Sequence, residues 1–420
     1  MRRFAIIALL TACGGDDVAP LTAEELLDPA ACAGCHPDQY RQWSGSSHAF
    51  AADDPVFLAM NARYQRDTGG AYPSDCAGCH APVALASGAG DGADPAALPA
   101  NLRGVTCYAC HAVIEADPAG HLLRFTGEPA MGGALADSVG TGAHRSTYAP
   151  LFDRAEWSST DLCGVCHDFD SRAGAHAHRT LTEWTESLFS DTFSRSFLTC
   201  SSCHMTGSDG PIATGDVPER RRHDHGFPGV DVALIDWPER DAQRAAIEAD
   251  LAPAILARVC LDTDLRPEVT LDNVMAGHMW PSGDAFTRRA WAELVVERGD
   301  ETVYQSDEWE LRDQLQDAEG QPVLFSWQAT EAVPALLPPA VTADPNDPRF
   351  FHAVTRTYPA LANIPDRMTL RVRIRPIGAD VIDALVAGGD LDAAIGDAVP
   401  TFTLEGTTVE WTGEPGSCAQ

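Results

Sequence analysis

The sequence lacks long apolar segments beyond its first dozen residues, and its C-terminal half lacks several common catalytic motifs. A transmembrane helix needs about 20 apolar residues, and no later stretch approaches that length. Residues 230–420 contain no GxSxG, no HExxH and no phosphate-binding loop. These absences argue against serine hydrolase, zinc protease and P-loop chemistry in that half of the chain.

Basic residues are also scarce: 29 Lys and Arg stand against 61 Asp and Glu, for a formal net charge of −32. Such a surface repels nucleic acids and anionic lipid headgroups, so we expect neither as an electrostatic partner. Protein partners with basic docking surfaces are favoured instead, and their association should weaken as salt rises. The 420 residues are 45% hydrophobic, which suits a globular protein of two or three domains.

The first residues have the pattern of a bacterial export signal. A positively charged start at residues 1–3 precedes a short apolar run at 4–10, and Leu10-Thr11-Ala12-Cys13 resembles a lipobox. We therefore expect a lipoprotein signal peptide over residues 1–12, acylation of Cys13 and a tether over residues 13–30. This places the protein in the bacterial cell envelope, lipid-anchored to the outer membrane and facing the periplasm or the cell surface. The alternative is an ordinary secretory signal with an unmodified cysteine.

One cysteine pattern, CxxCH, occurs five times. Composition alone predicts roughly 0.01 copies of this haem-attachment pattern in a chain of this length, so five copies are not accidental. The copies are Cys32-Cys35-His36, Cys76-Cys79-His80, Cys107-Cys110-His111, Cys163-Cys166-His167 and Cys200-Cys203-His204.

The spacing in CxxCH suits covalent haem attachment. Each cysteine sulfur adds to one vinyl group of haem, and the adjacent histidine becomes the proximal ligand of the iron. Zinc ribbons use CxxC pairs two by two and give no reason for a histidine after every pair. A thioredoxin-like centre needs only one pair. The sequence therefore predicts five c-type haems, with His36, His80, His111, His167 and His204 as proximal ligands.

Three cysteines lie outside the motifs: Cys13, Cys260 and Cys418. Export favours a disulfide between the last two. The sequence does not supply the Cα–Cα distance that a disulfide needs, so pairing and free thiols both remain open.

Distal ligands must come from nine further histidines. His48 is the first candidate, because it closes a short segment that also carries Trp43 just after the first motif. One of His223 and His225 is expected to ligate iron from a Gly/Pro-rich loop, but not both. The other candidates are His144, the pair His176 and His178, and His278, whereas His121 and His352 read as surface or hydrogen-bonded residues. The number of histidines permits five six-coordinate irons but does not require them.

The chain divides into two regions at about residue 230. Residues 31–229 form a pentahaem domain, with short helices at 37–43 and 180–189 and loops at 86–99 and 127–142. Residues 230–420 begin with a helix at 241–259 and continue with strands at 268–274, 290–297, 323–328, 368–374 and 401–411 and a helix at 381–386. The predicted fold class is α+β, a helical and loop-rich cytochrome domain followed by an immunoglobulin-like β-sandwich.

Several stretches resemble the multihaem c-type cytochromes related to hydroxylamine oxidoreductase and its tetrahaem electron-carrier partner. They are CAGCHPDQYRQWSGSSH at 32–48, LCGVCHD at 162–168, EWTESLF at 183–189, CSSCHM at 200–205 and HDHGFPG at 223–229. The resemblance implies a distal ligand at His48 and another within 223–229. Residues 273–283, with Arg288-Arg289-Ala290-Trp291 after them, resemble a β-sandwich appended to exported multihaem cytochromes.

The expected function is electron transfer through stacked haems between periplasmic or outer-membrane redox partners. One alternative is a reductase or oxidase of a small nitrogen or sulfur compound, which needs one five-coordinate haem. No CxxCK variant is present, so the lysine-ligated site of nitrite reductases in the wider group is absent. A second alternative is a subunit of a conducting cytochrome filament.

Overall fold

The computed structural model describes residues 19–135, 143–215 and 217–419. The predicted signal peptide and Cys13 lie outside the described residues, as does the end of the predicted loop at 127–142. No helix of the described ranges is long and apolar enough to cross a membrane.

Short helices dominate the region that carries the CxxCH motifs. Within the described residues they are α1 (Pro37–Ser44), α2 (Ser47–Phe50), α3 (Pro55–Asp67), α4 (Asp75–His80), α5 (Pro82–Ala86), α6 (Cys107–His111), α7 (Ser158–His167), α8 (Thr180–Thr185) and α9 (Cys200–His204). The predicted helix at 180–189 is shorter than expected, because a 3-10 turn, Leu188–Ser190, follows α8 after a break.

Four of the five CxxCH motifs lie in the last turns of helices, because α4, α6, α7 and α9 each end at the motif histidine. Residues three and four apart lie on the same face of a helix. The helical motif therefore directs both cysteines and the histidine to one side of the backbone. The first motif differs, since its histidine, His36, immediately precedes α1.

Small strand pairs connect these helices. β1 (Val113–Asp117) pairs with β2 (Leu122–Phe125), β3 (Ala130–Gly133) with β4 (Arg145–Tyr148), β5 (Asp168–Asp170) with β6 (His176–Arg179), and β7 (Ser208–Pro211) with β8 (Glu219–Arg222). The β3–β4 pair is parallel and the others are antiparallel. These strands were not expected from the sequence, because each is too short to show a period of two.

The C-terminal region is mainly antiparallel sheet. After α10 (Arg240–Leu251) its strands are β9 (Leu256–Leu261), β10 (Pro267–Asp272), β11 (Arg289–Arg298), β12 (Glu301–Gln305), β13 (Trp309–Leu311), β14 (Gln314–Gln316), β15 (Pro322–Val323), β16 (Glu331–Val333), β17 (Val354–Thr357), β18 (Arg367–Arg375), β19 (Phe402–Thr403) and β20 (Val409–Trp411). Helices α11 (Ala379–Ala387) and α12 (Ala393–Ala398) lie between β18 and β19. The chain thus has the predicted α+β class with a C-terminal β domain.

Two of these sheets share one hydrophobic core. The larger has the order β12-β11-β18-β19, with β13 beside β11 and β20 beside β18, and the smaller has the order β17-β10-β9. Leu294 of β11, Leu370 of β18 and Leu271 of β10 are fully buried in this core. Alternating side chains on β18 enter the core while its arginines point outward, as the alternation at 368–374 predicts. The immunoglobulin-like topology stays a prediction.

Three predicted elements end differently in the structure. The helix expected at 241–259 ends at Leu251, because Pro253 has no amide hydrogen to continue the ladder. Residues 323–328 begin in β15 but turn into a 3-10 helix, Ser326–Gln328, where Trp327 donates to Asp67 of α3. The strand expected at 401–411 is interrupted by a 3-10 turn, Glu405–Thr407.

The two regions of the chain pack against each other. Val56 and Ala59 of α3 share a buried cluster with Val381 and Leu385 of α11. At the rim of this contact, Arg66 binds the largely buried carboxylate of Asp390 through two hydrogen bonds of 2.6 and 2.8 Å. The β region therefore lies directly against the motif-bearing region.

A disulfide joins Cys260 of β9 to Cys418, with a Cα–Cα distance of 5.1 Å. It ties the chain end to the core sheet across a sequence separation of 158 residues. Of the two alternatives that the sequence left open, the structure contains the paired form.

Replacing both Cys260 and Cys418 by Ala should lower the free energy of unfolding of the β region by about 2–5 kcal/mol, because the unfolded chain loses a long covalent loop. Guanidinium denaturation followed by far-UV circular dichroism measures the change. A reducing agent should destabilise the wild-type protein similarly and leave the variant unaffected. Equal stability of wild type and variant without reductant would contradict the expectation.

Candidate haem-binding sites

Four of the five motif histidines donate Nδ1–H to a backbone carbonyl. The accepting oxygens and distances are Ile212 for His36 at 2.8 Å, Ala51 for His80 at 2.8 Å, Gly132 for His111 at 2.8 Å and Pro228 for His204 at 3.0 Å. A proton on Nδ1 leaves the Nε2 lone pair available to a metal and fixes the orientation of the ring. The residues present thus fit the proximal role that the motif predicts.

Four motif histidines also face a second histidine at a nearly constant distance. The ring centroids are 6.3 Å apart for His36 and His144, 6.3 Å for His111 and His225, 6.2 Å for His167 and His48, and 6.3 Å for His204 and His278. The interplanar angles range from 10° to 66°, so the rings do not form one type of stacking contact.

The constant separation has the value that one shared metal requires. A metal–imidazole bond is about 2 Å long, and adding about 1 Å from each Nε2 to its ring centre separates two opposed rings by roughly 6 Å. Axial ligands rotate freely about that bond, which accounts for the varied ring angles. The four pairs therefore fit bis-histidine haem iron.

The distal members of three pairs are held in the same way as the proximal ones. His225 donates Nδ1–H to the carbonyl of His223 at 2.9 Å, and His278 donates to that of Met279 at 2.7 Å. His144 makes a longer bond of 3.3 Å to the Arg145 carbonyl.

Burial keeps these imidazoles neutral. It lowers the pKa of His48, His225 and His278 to about 4. A histidine whose pKa is lowered by burial stays uncharged down to that pH. The neutral ring is the form with a free lone pair, so these three imidazoles are in the form that can bind a metal at neutral pH.

The other histidines outside the motifs, apart from His178, have other partners. His223 donates Nδ1–H to the Met205 carbonyl at 2.9 Å and forms no ring pair at 6 Å. His176 contacts Asp168 through Nε2 at 2.7 Å, and His352 contacts Asp272 through Nε2 at 3.0 Å. His121 lies 3.2 Å from the Val165 carbonyl through Nδ1.

His80, in the second motif, is the exception among the motif histidines. All fourteen histidines lie in the described ranges, yet none forms a ring pair with His80 at this separation. Its ring stacks instead on Phe57, with centroids 3.8 Å apart and planes 7° from parallel. Phe57 covers the face of the imidazole, whereas a metal would bind in the ring plane at Nε2. The second motif thus has a well-held proximal histidine and no histidine placed opposite it.

The attachment cysteines of different motifs lie in contact. The thiols of Cys32 and Cys107 share a hydrogen bond, which lowers the pKa of Cys32. Two similar contacts join Cys79 to Cys166 and Cys163 to Cys200. They place motif 1 beside motif 3, motif 2 beside motif 4, and motif 4 beside motif 5.

Cys110 links these groups. Burial raises its pKa to about 12, with a further contribution from the charge of Cys163. Motif 3 therefore lies near motif 4, and the five motifs form one connected set with motif 4 at its centre.

The repeated CxxCH helices, the opposed imidazoles and the clustered cysteines define a multihaem c-type cytochrome, in which haem c is bound covalently. The family model for cytochrome c554 and c-prime matches residues 31–112, which contain three of the five motifs. The fold is similar to the crystal structure of a penta-heme cytochrome c552 from Thermochromatium tepidum, with a TM-score of 0.63 and 20% identity. That similarity covers 91% of this chain and 97% of the other.

No curated protein matches the chain. The predicted relation to hydroxylamine oxidoreductase stays a prediction.

Sequence reasoning missed Phe57 and Arg288 as neighbours of motif histidines. Phe57 is one of several apolar residues in the helical pattern of α3, and Arg288 was noted only as part of a resemblance. Nothing local marks either residue, because their contacts span long sequence separations.

Replacing His225 by Ala should convert one haem from low spin to high spin, because His225 faces His111 across the gap for one iron. Electron paramagnetic resonance of the ferric protein measures the change. His223→Ala is the matched control, two residues away in the same loop, and should keep the wild-type spectrum. A high-spin signal from His223→Ala and not from His225→Ala would reverse the assignment.

Proposed function

We propose that this protein is a pentahaem electron carrier that passes electrons between redox partners of the bacterial cell envelope. The observation that supports it best is the set of four imidazole pairs at 6.2–6.3 Å. Two histidines on one iron fill both axial positions and leave no place for a substrate. Most of the sites are therefore suited to transferring electrons and not to binding reactants.

Bound haem would supply the reversible one-electron change of its iron. The chain contributes position and environment. Backbone carbonyls fix the imidazoles, so the ligands need little rearrangement when the charge of the iron changes. Cysteines of neighbouring motifs lie near one another, so the attached haems would be close together, which short-range electron transfer requires.

A second candidate function is favoured by the second motif. His80 faces no histidine, so a haem attached at Cys76 and Cys79 would have an open axial position. An open position permits a reductase or oxidase reaction with a small nitrogen or sulfur compound. The other four haems would then deliver or remove the electrons.

Mass spectrometry of the purified protein should give the mature chain plus five haems, and the ferric spectrum should contain four low-spin signals and one high-spin signal. The high-spin signal follows from the missing partner of His80. Sustained turnover of nitrite or hydroxylamine with an artificial electron donor or acceptor would replace the carrier proposal by the enzymatic one. Five low-spin signals would exclude the enzymatic proposal, because no haem would then have an open axial position.

We also propose that acylated Cys13 anchors the protein to the outer membrane and that basic partner proteins dock on its acidic surface. Cys13→Ala should move the protein from the detergent phase to the aqueous phase in a detergent partition experiment, because the lipid supplies the membrane affinity. An unchanged partition would contradict the anchor. Electron exchange with a basic partner should slow as ionic strength rises.

A further inference from the structure

Two side chains near the second motif carry nitrogen atoms without partners. Nε2 of His178 is buried and makes no hydrogen bond, and Nε and Nη1 of Arg288 are likewise buried and unpaired. His178 is only 9% exposed. A buried polar atom without a partner costs roughly 1–3 kcal/mol, so three in one place indicate a missing ligand.

The unpaired groups face the same space. A side chain at Gly283 would place its Cβ 3.4 Å from Nε2 of His178 and 3.8 Å from the unpaired Nε of Arg288. Gly283 has a φ of +71°, a conformation that glycine adopts without strain. Glycine at this position keeps the space between the imidazole and the guanidinium free.

An aspartate lies near each of these two groups. Asp231 accepts a hydrogen bond of 3.0 Å from Nη2 of Arg288. The other guanidinium nitrogens, Nε and Nη1, have no hydrogen-bond partner. Asp284 lies 3.8 Å from Nδ1 of His178. That distance is too long for a hydrogen bond, so the neutral ring is free to carry its proton on Nε2 and donate it.

The cluster lies beside His80. The His178 ring and the Asp231 and Asp284 carboxylates act electrostatically on His80, and Arg288 acts on His167 of the fourth motif. His178 also contacts His167 of the fourth motif, with ring centroids 5.5 Å apart. The nitrogen atoms without hydrogen-bond partners therefore lie between the second and fourth motifs. The second motif is the one without an opposed histidine.

We propose that Arg288 and His178 bind a singly charged oxyanion beside the second haem motif. Asp231 and Asp284 both offset the Arg288 charge, which disfavours an anion with two negative charges. The oxyanion is either a small free anion such as nitrite or the propionate of a neighbouring haem, since both present carboxylate-like oxygens. The inference rests on the proposed haem at Cys76 and Cys79, and it assigns a binding role to a residue of the β region.

The test uses the ferric, fully haem-loaded protein and three single variants of it: Arg288→Gln, Arg288→Lys and His178→Asn. Arg289→Gln is the matched control, because Arg289 follows Arg288 directly as the first residue of β11 but contacts Glu308 and Glu310 at the surface. Nitrite is titrated while the high-spin signal is followed. The haem reduction potentials and the carboxylate infrared bands are measured without nitrite.

A free-anion site predicts that the nitrite dissociation constant rises about tenfold or more in Arg288→Gln and His178→Asn, and less in Arg288→Lys. A propionate site predicts unchanged nitrite affinity, with a shifted potential and carboxylate band in Arg288→Gln. The proposal is overturned if Arg288→Gln and His178→Asn behave like Arg289→Gln in both measurements. Absence of a high-spin signal in the wild type would refute only the open second haem, because the potentials and infrared bands still test the oxyanion site.

Discussion

The structure depends on a gap of 6.2–6.3 Å between opposed imidazole rings, repeated at four places. The constancy of this gap sets the four pairs apart from packed aromatic rings, whose centroids elsewhere lie between 3.8 Å, as for Phe57 and His80, and 6.5 Å, as for Trp184 and Phe197. The gap has the width of one metal with two nitrogen ligands. Helices end at four of the motif histidines, and loops and the short helix α2 carry the residues that face them.

The region that bears the motifs has little core of its own. Its principal cluster of buried side chains combines five alanines with six larger residues such as Leu26, Tyr108 and Met131. The β region, in contrast, has a continuous core between two sheets. Covalently bound haem would supply the apolar mass that the first region lacks, which couples its folding to cofactor attachment.

The β region also contributes directly to the haem sites. It carries His278 on a loop that is fixed by Asn273, whose amide donates to the carbonyls of His278 and Leu337. Trp280, two residues after His278, is buried in the sheet core. The β region also provides Arg288, so the surroundings of the second and fifth motifs depend on how that region packs.

Sequence alone determined the cofactor class, because CxxCH is a local pattern whose chemistry needs only neighbouring residues. It also indicated the α+β class, the long strands β11 and β18, and a set of histidines that includes all four distal partners. Sequence did not determine which histidine faces which motif. Chain proximity is a poor guide here, since His48 follows the first motif but faces His167 of the fourth.

The short strand pairs and the end of α10 were also missed, because contacts or single prolines override weak periodic patterns. Only the tertiary structure decided that His80 stands without a histidine partner and that Arg288 and His178 face one space. The physical reason is the same in each case: a pairing between residues far apart in the chain depends on how the elements pack, and no local pattern encodes it.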